Sequence, residues 1–341
     1  MSAQLSVVII GRNEGQRLET CIRSVQAVHH ATKIAEIIYV DSASTDDSVA
    51  RAAALGTKVL TVYPEYPAAA IGRNAGWQTA IAPFILFLDG DTILNSDFIS
   101  VALEKLADPQ VAVVWGHRRE INPQTSIYQR VLDLDWVYPP GISTFCGGDA
   151  LMRRTVLEEV GGYDAQLIAG EEPELCQRIR AKGYIILHID QAMTLHDLAI
   201  TRSSQYWRRA VRAGHAYAEI STLLRQRAQN LPSEERKQPI LWQHESLKNL
   251  LHANFLMDIF LIGILGSVIF TSIIPVIISM TIFVGLSLRS AWKARWKSNN
   301  LLSVLLYGFH SQFQQIPIFI GQLQYHYHHI LGKRRQLIEY K

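Results

Sequence analysis

Cysteine is scarce in this chain, with three among 341 residues at Cys21, Cys146 and Cys176. An odd, widely spaced set excludes a disulfide framework and a zinc-binding pattern. An excess of one charge is also lacking. The 33 Lys and Arg residues nearly offset 30 Asp and Glu, and the resulting +3 is too small to imply a nucleic-acid partner. No internal repeat or low-complexity tract is present. No lysine follows the first apolar run in Gly11-Arg12-Asn13-Glu14-Gly15, which argues against the lysine-bearing phosphate loop that nucleotidyl transfer on such a sheet would use. No basic-apolar leader precedes Leu5, so the expectation is that the N-terminal part stays in the cytosol. One stretch, Ile259 to Leu288, lacks charge altogether.

What is present begins with short apolar runs. Leu5 to Ile10, Ile37 to Val40, Val59 to Val62, Phe84 to Leu88 and Val111 to Trp115 show no alternation, the pattern of strands buried on both faces. Helical spacing fills the gaps. Leu18, Ile22 and Val25 recur within 14–27, and Asp46-Asp47-Ser48 caps a run with Val49, Ala53 and Leu55. Residues 72–80 and 97–106 continue the alternation, which predicts an α/β fold with a mostly parallel sheet and flanking helices. Such sheets bind ligands beyond the carboxyl ends of their strands. Asp41, Asp89 and Asp91 all fall there, on one rim.

Asp89-Gly90-Asp91 directly follows the apolar run ending at Leu88. Asp-Gly-Asp is ordinary turn chemistry when solvated. At the end of a buried strand it instead offers hard oxygen ligands where a divalent cation, Mg²⁺ or Mn²⁺, meets a diphosphate.

Val7 to Glu14, Val40 to Asp46, Gly72-Arg73-Asn74-Ala75-Gly76 and Leu88-Asp89-Gly90-Asp91 occur in an order and spacing that resembles family 2 glycosyltransferases of GT-A fold, from the start of the chain to about Thr222. Gly147 to Arg154 is similar to that family's acceptor-side glycine loop, and Gly170 to Arg178 to its Glu-Asp segment. The resemblance implies a nucleotide-sugar donor and a single displacement with inversion. It implies that Asp91 ligates the metal and Asp89 lies against ribose or metal, with His196 as a further ligand; a purely structural histidine is the alternative. Asn13, Glu14, Asp41 and Arg73 fall on the nucleotide side. Gly148 and Asp149 fall on the acceptor side. Glu172 stands where the family has Asp and is the expected general base, with Glu171 as its neighbour and alternate. Acidic residues ahead of a helix from Pro173 to Lys182 also suit its dipole. Gln205-Tyr206-Trp207-Arg208-Arg209 approximates the Gln-x-x-Arg-Trp motif of processive members, but Arg209 replaces the Trp. Trp207, Arg208 and Arg209 are then acceptor or phosphate contacts, or a solvated basic face.

The last third changes character. The charge-free Ile259–Leu288 run exceeds the ~20 residues of one membrane span and is broken by Thr271, Ser272 and Pro275. It reads as a hairpin, about 252–270 in and 273–288 back. Eight basic residues against one acidic residue follow from Arg289 to Lys341, favouring a cytoplasmic return. Residues 301–331 are apolar but interrupted by His310, Gln312, Gln314, Gln315 and Pro317, which suits interfacial or re-entrant helices. His326, His328 and His329 with Tyr325 and Tyr327 read as an interfacial patch.

The expected organisation is a GT-A domain over 1–225, a linker over 226–243, and a membrane-associated helical region over 244–341. The expected function is metal-dependent, inverting transfer from a nucleotide diphosphate sugar, UDP-hexose by default, to a lipid-linked or membrane-proximal acceptor in polysaccharide or glycolipid synthesis. A polyprenyl-phosphate acceptor is the alternative within the class. A catalytically silent membrane scaffold is the alternative outside it, and it should have lost the carboxylates that remain. A homo-oligomer stays open. Expected localisation is the membrane, with the catalytic domain on the cytoplasmic side and no nucleic-acid partner.

Overall fold

The apolar runs become strands in the structure, a computed structural model that describes residues 5–32, 34–66, 68–229 and 240–332. Most of the expected linker, and the basic cluster from Lys333 onward, lie outside the described residues. The described chain divides into two compact units. One holds residues up to 121 and 136–198; the other holds 122–135 and the residues from 199 onward.

In chain order the first unit runs β1 (Leu5–Gly11), α1 (Gln16–Thr32), β2 (Ile34–Asp41), α2 (Ser48–Ala54), β3 (Lys58–Thr61), α3 (Ala69–Thr79), β4 (Phe84–Asp89), β5 (Thr92–Leu94), α4 (Phe98–Lys105) and β6 (Val111–Glu120). Helix α5 (Ile127–Asp135) belongs to the second unit. The first unit resumes with β7 (Gly141–Ser143), β8 (Ala150–Arg153), α6 (Arg154–Val160), α7 (Glu171–Ala181) and β9 (Ile185–His196). Their sheet has the order β3-β2-β1-β4-β8-β6-β9-β5, with β7 paired to β9. β3, β2, β1 and β4 are mutually parallel, as the unalternating apolar runs predict. Val7, Val8, Ile9, Leu86, Phe87 and Leu88 are fully buried, each contributing about 1.5–3 kcal/mol of burial.

Short β8 departs from this pattern, running antiparallel to both β4 and β6. It converts the expected glycine loop into a strand that leaves Asp149 beside the end of β4. The sheet is therefore mixed, with β6 and β9 again parallel. A second correction concerns α7, which starts at Glu171 rather than Pro173. Gly170 adopts a left-handed φ of 76° and opens the helix two residues early. Pro173 is tolerated as the third helical residue because first-turn N–H groups need no helical partner.

The second unit packs α5 with α8 (Ser203–Gln229), α9 (Gln243–Ile269), α10 (Ile274–Ala294), α11 (Leu301–Phe313) and α12 (Gln315–Ile330). Glycines let α8 and α12 cross closely. A Cβ at Gly214 would collide with the Ile318 carbonyl, and one at Gly321 with the Val211 carbonyl. Gly214→Val is therefore expected to destabilise this unit by at least the ~1–3 kcal/mol of overpacking, read as a lower unfolding temperature in detergent. The polar residues that interrupt 301–331 turn inward: Gln312 bonds Ser290 at 2.7 Å and His252 at 2.7 Å, and buried His310 meets the Tyr206 hydroxyl at 2.6 Å. Away from water such groups bond across helices.

Candidate active site

The candidate site belongs to the first unit and is assembled by register. β9 ends at His196, which pairs with Thr92 on one side and Glu120 on the other. Thr92 follows Asp91, so the pairing sets His196 Nε2 3.2 Å from Asp91 Oδ1. One ligand atom each from Asp89, Asp91 and His196 lies within 4.8 Å of the others. Asp91 and His196 are both buried, deeper than a solvent-facing rim, whereas the Asp89 side chain keeps 26% exposure. Two carboxylates and an imidazole fit an ion of the Mn²⁺ type, for which nitrogen is an acceptable ligand; Mg²⁺ prefers oxygen alone.

Asp89 is held by two arginines. Arg73, on α3, donates from Nη2 to Asp89 Oδ1 at 3.0 Å, and Arg118, near the end of β6, donates to Oδ2 at 3.1 Å. Burial opposes ionisation of Asp89, but Arg118 and Arg73 outweigh it and hold the carboxyl below its usual range. Asp149 completes the arrangement from behind. Its Oδ1 accepts from the Asp89 backbone N–H at 2.9 Å and its Oδ2 from the Thr194 hydroxyl at 2.7 Å. Burial raises Asp149 to about 6, against the pull of Arg118. Trp136 closes over this group, its ring 5.0 Å from the Arg118 guanidinium and 5.0 Å from the His196 ring.

The other end of Arg73 reaches α7. Nη1 lies 2.7 Å from Glu171 Oε1 and 3.1 Å from Glu172 Oε1. Burial disfavours the guanidinium charge, yet Glu172, Asp89 and Glu171 together raise Arg73 well above its ordinary value. Glu171 is buried at 6% side-chain exposure, while Glu172 keeps 16%. Burial, and then the neighbouring Glu171 charge, push Glu172 up to about 7. A carboxyl titrating there is poised for proton transfer near neutrality.

Gly148 is where these groups come closest. A Cβ built there would stand 2.6 Å from Arg73 Nη2 and 3.0 Å from an Asp89 carboxylate oxygen, so any side chain must displace the Arg73 guanidinium. Gly148→Val is expected to push Arg73 and Asp89 apart while β8 still pairs, costing about 1.5–3 kcal/mol for one lost charged hydrogen bond, read as a lower unfolding temperature.

Asp41 is also buried, and it faces its own loop. It accepts from the Tyr39 hydroxyl at 2.8 Å, the Ser44 N–H at 2.8 Å and the Ser44 hydroxyl. Asn13, at φ 57°, ties the same loop through Asn13 N–H to Ser44 Oγ at 2.9 Å and Thr45 N–H to Asn13 Oδ1 at 2.8 Å. Glu14 pairs with Arg17 at 2.8 Å. These residues shape a rim at the ends of β1 and β2.

Of the residues singled out from the sequence, Arg73, Asp89, Asp91, Gly148, Asp149, Glu171, Glu172 and His196 gather in this cluster. Trp207, Arg208 and Arg209 lie on α8 of the second unit, where Trp207 packs 6.0 Å from the Phe313 ring and Gln205 accepts from the Thr201 and Arg202 N–H groups at 3.0 Å. The Gln-x-x-Arg-Trp-like segment is thus a helix start. Arg118 and Trp136 were missed by sequence reasoning. Arg118 carried the same signal as Asp89, a charged residue just beyond a buried apolar strand run. Trp136 carried none.

The sequence profile of glycosyl transferase family 2 matches residues 6–161. Among curated proteins, a pre-mycofactocin glycosyltransferase of Mycobacterium tuberculosis is 27% identical over 210 residues, covering 57% of this chain and 42% of that protein. The succinoglycan biosynthesis protein ExoU of Rhizobium meliloti is 29% identical over 208 residues, covering 53% and 59%. The chain thus spans about half the length of the curated relatives it matches. Among solved structures, the mannosyltransferase PcManGT of Pyrobaculum calidifontis, in complex with GDP-Man and Mn²⁺, superposes with a TM-score of 0.59 at 16% identity, covering 96% of this chain and 88% of that one. That likeness is one of fold.

Proposed function

On the premise that the chain belongs, through residues 6–161, to glycosyl transferase family 2, we propose that it moves a sugar from a nucleoside diphosphate donor to a hydroxyl of a lipid-linked or membrane-proximal acceptor, with inversion. The observation that carries this reading is the bridge made by one buried guanidinium: Arg73 touches the diphosphate-side Asp89 and, from its other nitrogen, both candidate bases on α7. The donor end and the base end of a displacement reaction are thereby locked at a fixed spacing.

In this mechanism Asp91, His196 and Asp89 would hold a divalent ion. When bound, that ion neutralises the departing diphosphate as a Lewis acid. Arg118 and Arg73 keep Asp89 ionised. Glu172, the more exposed of the two glutamates, takes the acceptor hydroxyl proton as the hydroxyl oxygen attacks the anomeric carbon and the bond to the diphosphate oxygen breaks. Glu171, deeper and closer to Arg73, holds the guanidinium. No enzyme nucleophile is required, so one displacement inverts the anomeric centre. Asn13, Glu14 and Asp41 form the nucleotide side through the loop they support, and Gly148 and Asp149 the acceptor side through β8.

The acceptor class rests on the second unit. Among the described residues it has two helices long and apolar enough to cross a membrane, Gln243–Ile269 and Ile274–Lys297. Arg289, Lys293, Arg295 and Lys297 close the second one, and such positive charge supports a cytoplasmic catalytic unit in this reading. Trp207, Arg208 and Arg209 are proposed to meet acceptor or lipid phosphate. The donor to try first is a UDP-hexose, with GDP-mannose beside it. Incubating the membrane-bound protein with Mn²⁺, a panel of nucleotide sugars and lipid extract tests the reading. Release of nucleoside diphosphate coupled to a glycosylated lipid is expected for one donor. Absence of turnover with every donor, together with absence of donor binding, would overturn it.

A further inference from the structure

The helical hairpin of α9 and α10 carries a depth gauge. Its exposed surface is apolar along its outer part: Leu261, Ile262, Ile264, Leu265, Val268 and Ile269 on one arm are each more than half exposed, and Ile274, Ile277, Ile278, Val284 and Leu288 answer them on the other. Charge interrupts this surface on both arms, although Leu247, Leu251 and Phe255 are again exposed on α9 ahead of the acidic residue. Asp258 is exposed on α9 and Arg289 is exposed on α10.

From Ile259 to the end of α9 there are 11 residues, and from the start of α10 to Leu288 there are 15. At 1.5 Å per residue the charge-free arms are about 16 and 22 Å long. The hydrocarbon core is about 30 Å thick, so one leaflet takes about 15 Å and each headgroup layer a further ~5–7 Å. The short arm matches a leaflet. A tip reaching the far headgroups would drag exposed Asp258 to the middle of the hydrocarbon, and aspartate is too short to snorkel out as arginine does. With the tip at mid-bilayer, Asp258 stands at the border of the hydrocarbon and Arg289 among the lipid phosphates. Exposed Trp292 and Trp296 follow, with the Arg295 guanidinium 4.0 Å over the Trp292 ring, the furniture of a headgroup layer rich in anionic lipid.

The turn supplies independent support. Phe270 N–H bonds the Gly266 carbonyl at 2.9 Å, Thr271 N–H the Val268 carbonyl at 3.4 Å, and Ser272 N–H the Ser267 carbonyl at 3.1 Å. Two of the following amides are served by side chains, Ile274 N–H by Ser272 Oγ at 3.3 Å and Val276 N–H by Ser267 Oγ at 3.3 Å, and Pro275 has no N–H to serve. The Thr271 hydroxyl in turn donates to the Phe270 carbonyl at 2.9 Å. Pairing of this kind, common at helix ends in water too, keeps the turn's polar groups within the chain as hydrocarbon requires.

We infer that the α9–α10 hairpin is seated in a single leaflet of the bilayer, entering and leaving on the same face with its turn at Phe270–Ile273 near the midplane, and does not cross. This rests on the membrane part of the function proposed above and is independent of glycosyl transfer. It bears on the acceptor, because a one-leaflet anchor selects lipids of the leaflet in which it sits.

The test uses the full chain in bacterial membranes with Thr271→Cys, and separately Ser272→Cys. The native Cys21, Cys146 and Cys176 are all buried, which keeps the background low. A membrane-impermeant maleimide is applied to intact spheroplasts, to inverted vesicles, and to detergent-denatured samples as the full-labelling control. The expected result is less than a tenth of control labelling from either face, because a thiol held in hydrocarbon does not ionise to the reactive thiolate. Labelling from the periplasmic face alone would show that the hairpin crosses and would overturn the inference while leaving membrane attachment intact. Recovery of the chain in the soluble fraction, or labelling from the cytoplasmic face, would show that the apolar surface is covered by something other than lipid and would overturn both. Donor binding by the same samples reports separately on the catalytic reading.

Discussion

Replacing Asp91 by Asn is expected to abolish transfer while the protein stays folded. Asn keeps the shape of the side chain beside His196, 3.2 Å away, but removes the negative charge that a divalent ion requires. The loss should be large. Metal stabilisation of a departing diphosphate is worth several kcal/mol, so a fall of about 10³-fold or more is expected. Unfolding temperature and donor-free circular dichroism should be unchanged within error, because the buried Asp91–His196 pair is replaced by a hydrogen-bonding amide. EDTA should reproduce the loss in the unaltered protein, and Mn²⁺ should restore it there but not in the variant. Full activity in EDTA, or in Asp91→Asn, would remove the ion from the mechanism.

Glu172→Gln should slow turnover by about 10²–10⁴-fold, the usual worth of a general base, and leave donor binding nearly intact. The pH dependence gives the sharper signature. Glu172 is raised to about 7, by burial first and by Glu171 second. The carboxylate is the active form, so the rate of the unaltered protein should climb as pH rises through about 7 and then level. The Gln variant should lack that rise. Glu171→Gln should keep it but move it to lower pH, because the like charge that helps raise Glu172 is gone. If Glu171→Gln erased the rise and Glu172→Gln kept it, the two glutamates would exchange roles.

Some of the site was legible because local rules act on short stretches. A buried parallel strand needs a continuous apolar run, and the residue after it emerges at the ligand-binding edge whatever surrounds it. Phe84–Leu88 followed by Asp89 therefore announced itself, as did the ends of β1 and β2. Glu171 and Glu172 were legible through the resemblance of their segment to that of family 2 glycosyltransferases, although Gly170 rather than Pro173 opens α7. Arg118 was written in the same manner near the end of β6 and went unread, since a basic pair after an apolar run also suits a solvated surface.

Other features had no local signature. β8 is four residues long, and its antiparallel place between β4 and β6 depends on partners at least 37 residues away in the sequence, as from Val114 to Leu151, with 63 from Phe87 to Ala150. The 3.2 Å approach of His196 to Asp91 is a matter of register across β5 and β9. Arg73 meets α7 98 residues along the chain. Composition and periodicity sense which face of an element is apolar, and that decided the α/β class, the parallel half of the sheet, the carboxylates at its edge and the apolar hairpin. Which charged groups share one buried cluster, which glutamate is the more exposed, and how far Asp258 stands from the hairpin tip depend on strand order and helix ends. Only the packed chain decides those, because hydrogen-bond register and side-chain burial are pairwise properties of residues far apart in sequence.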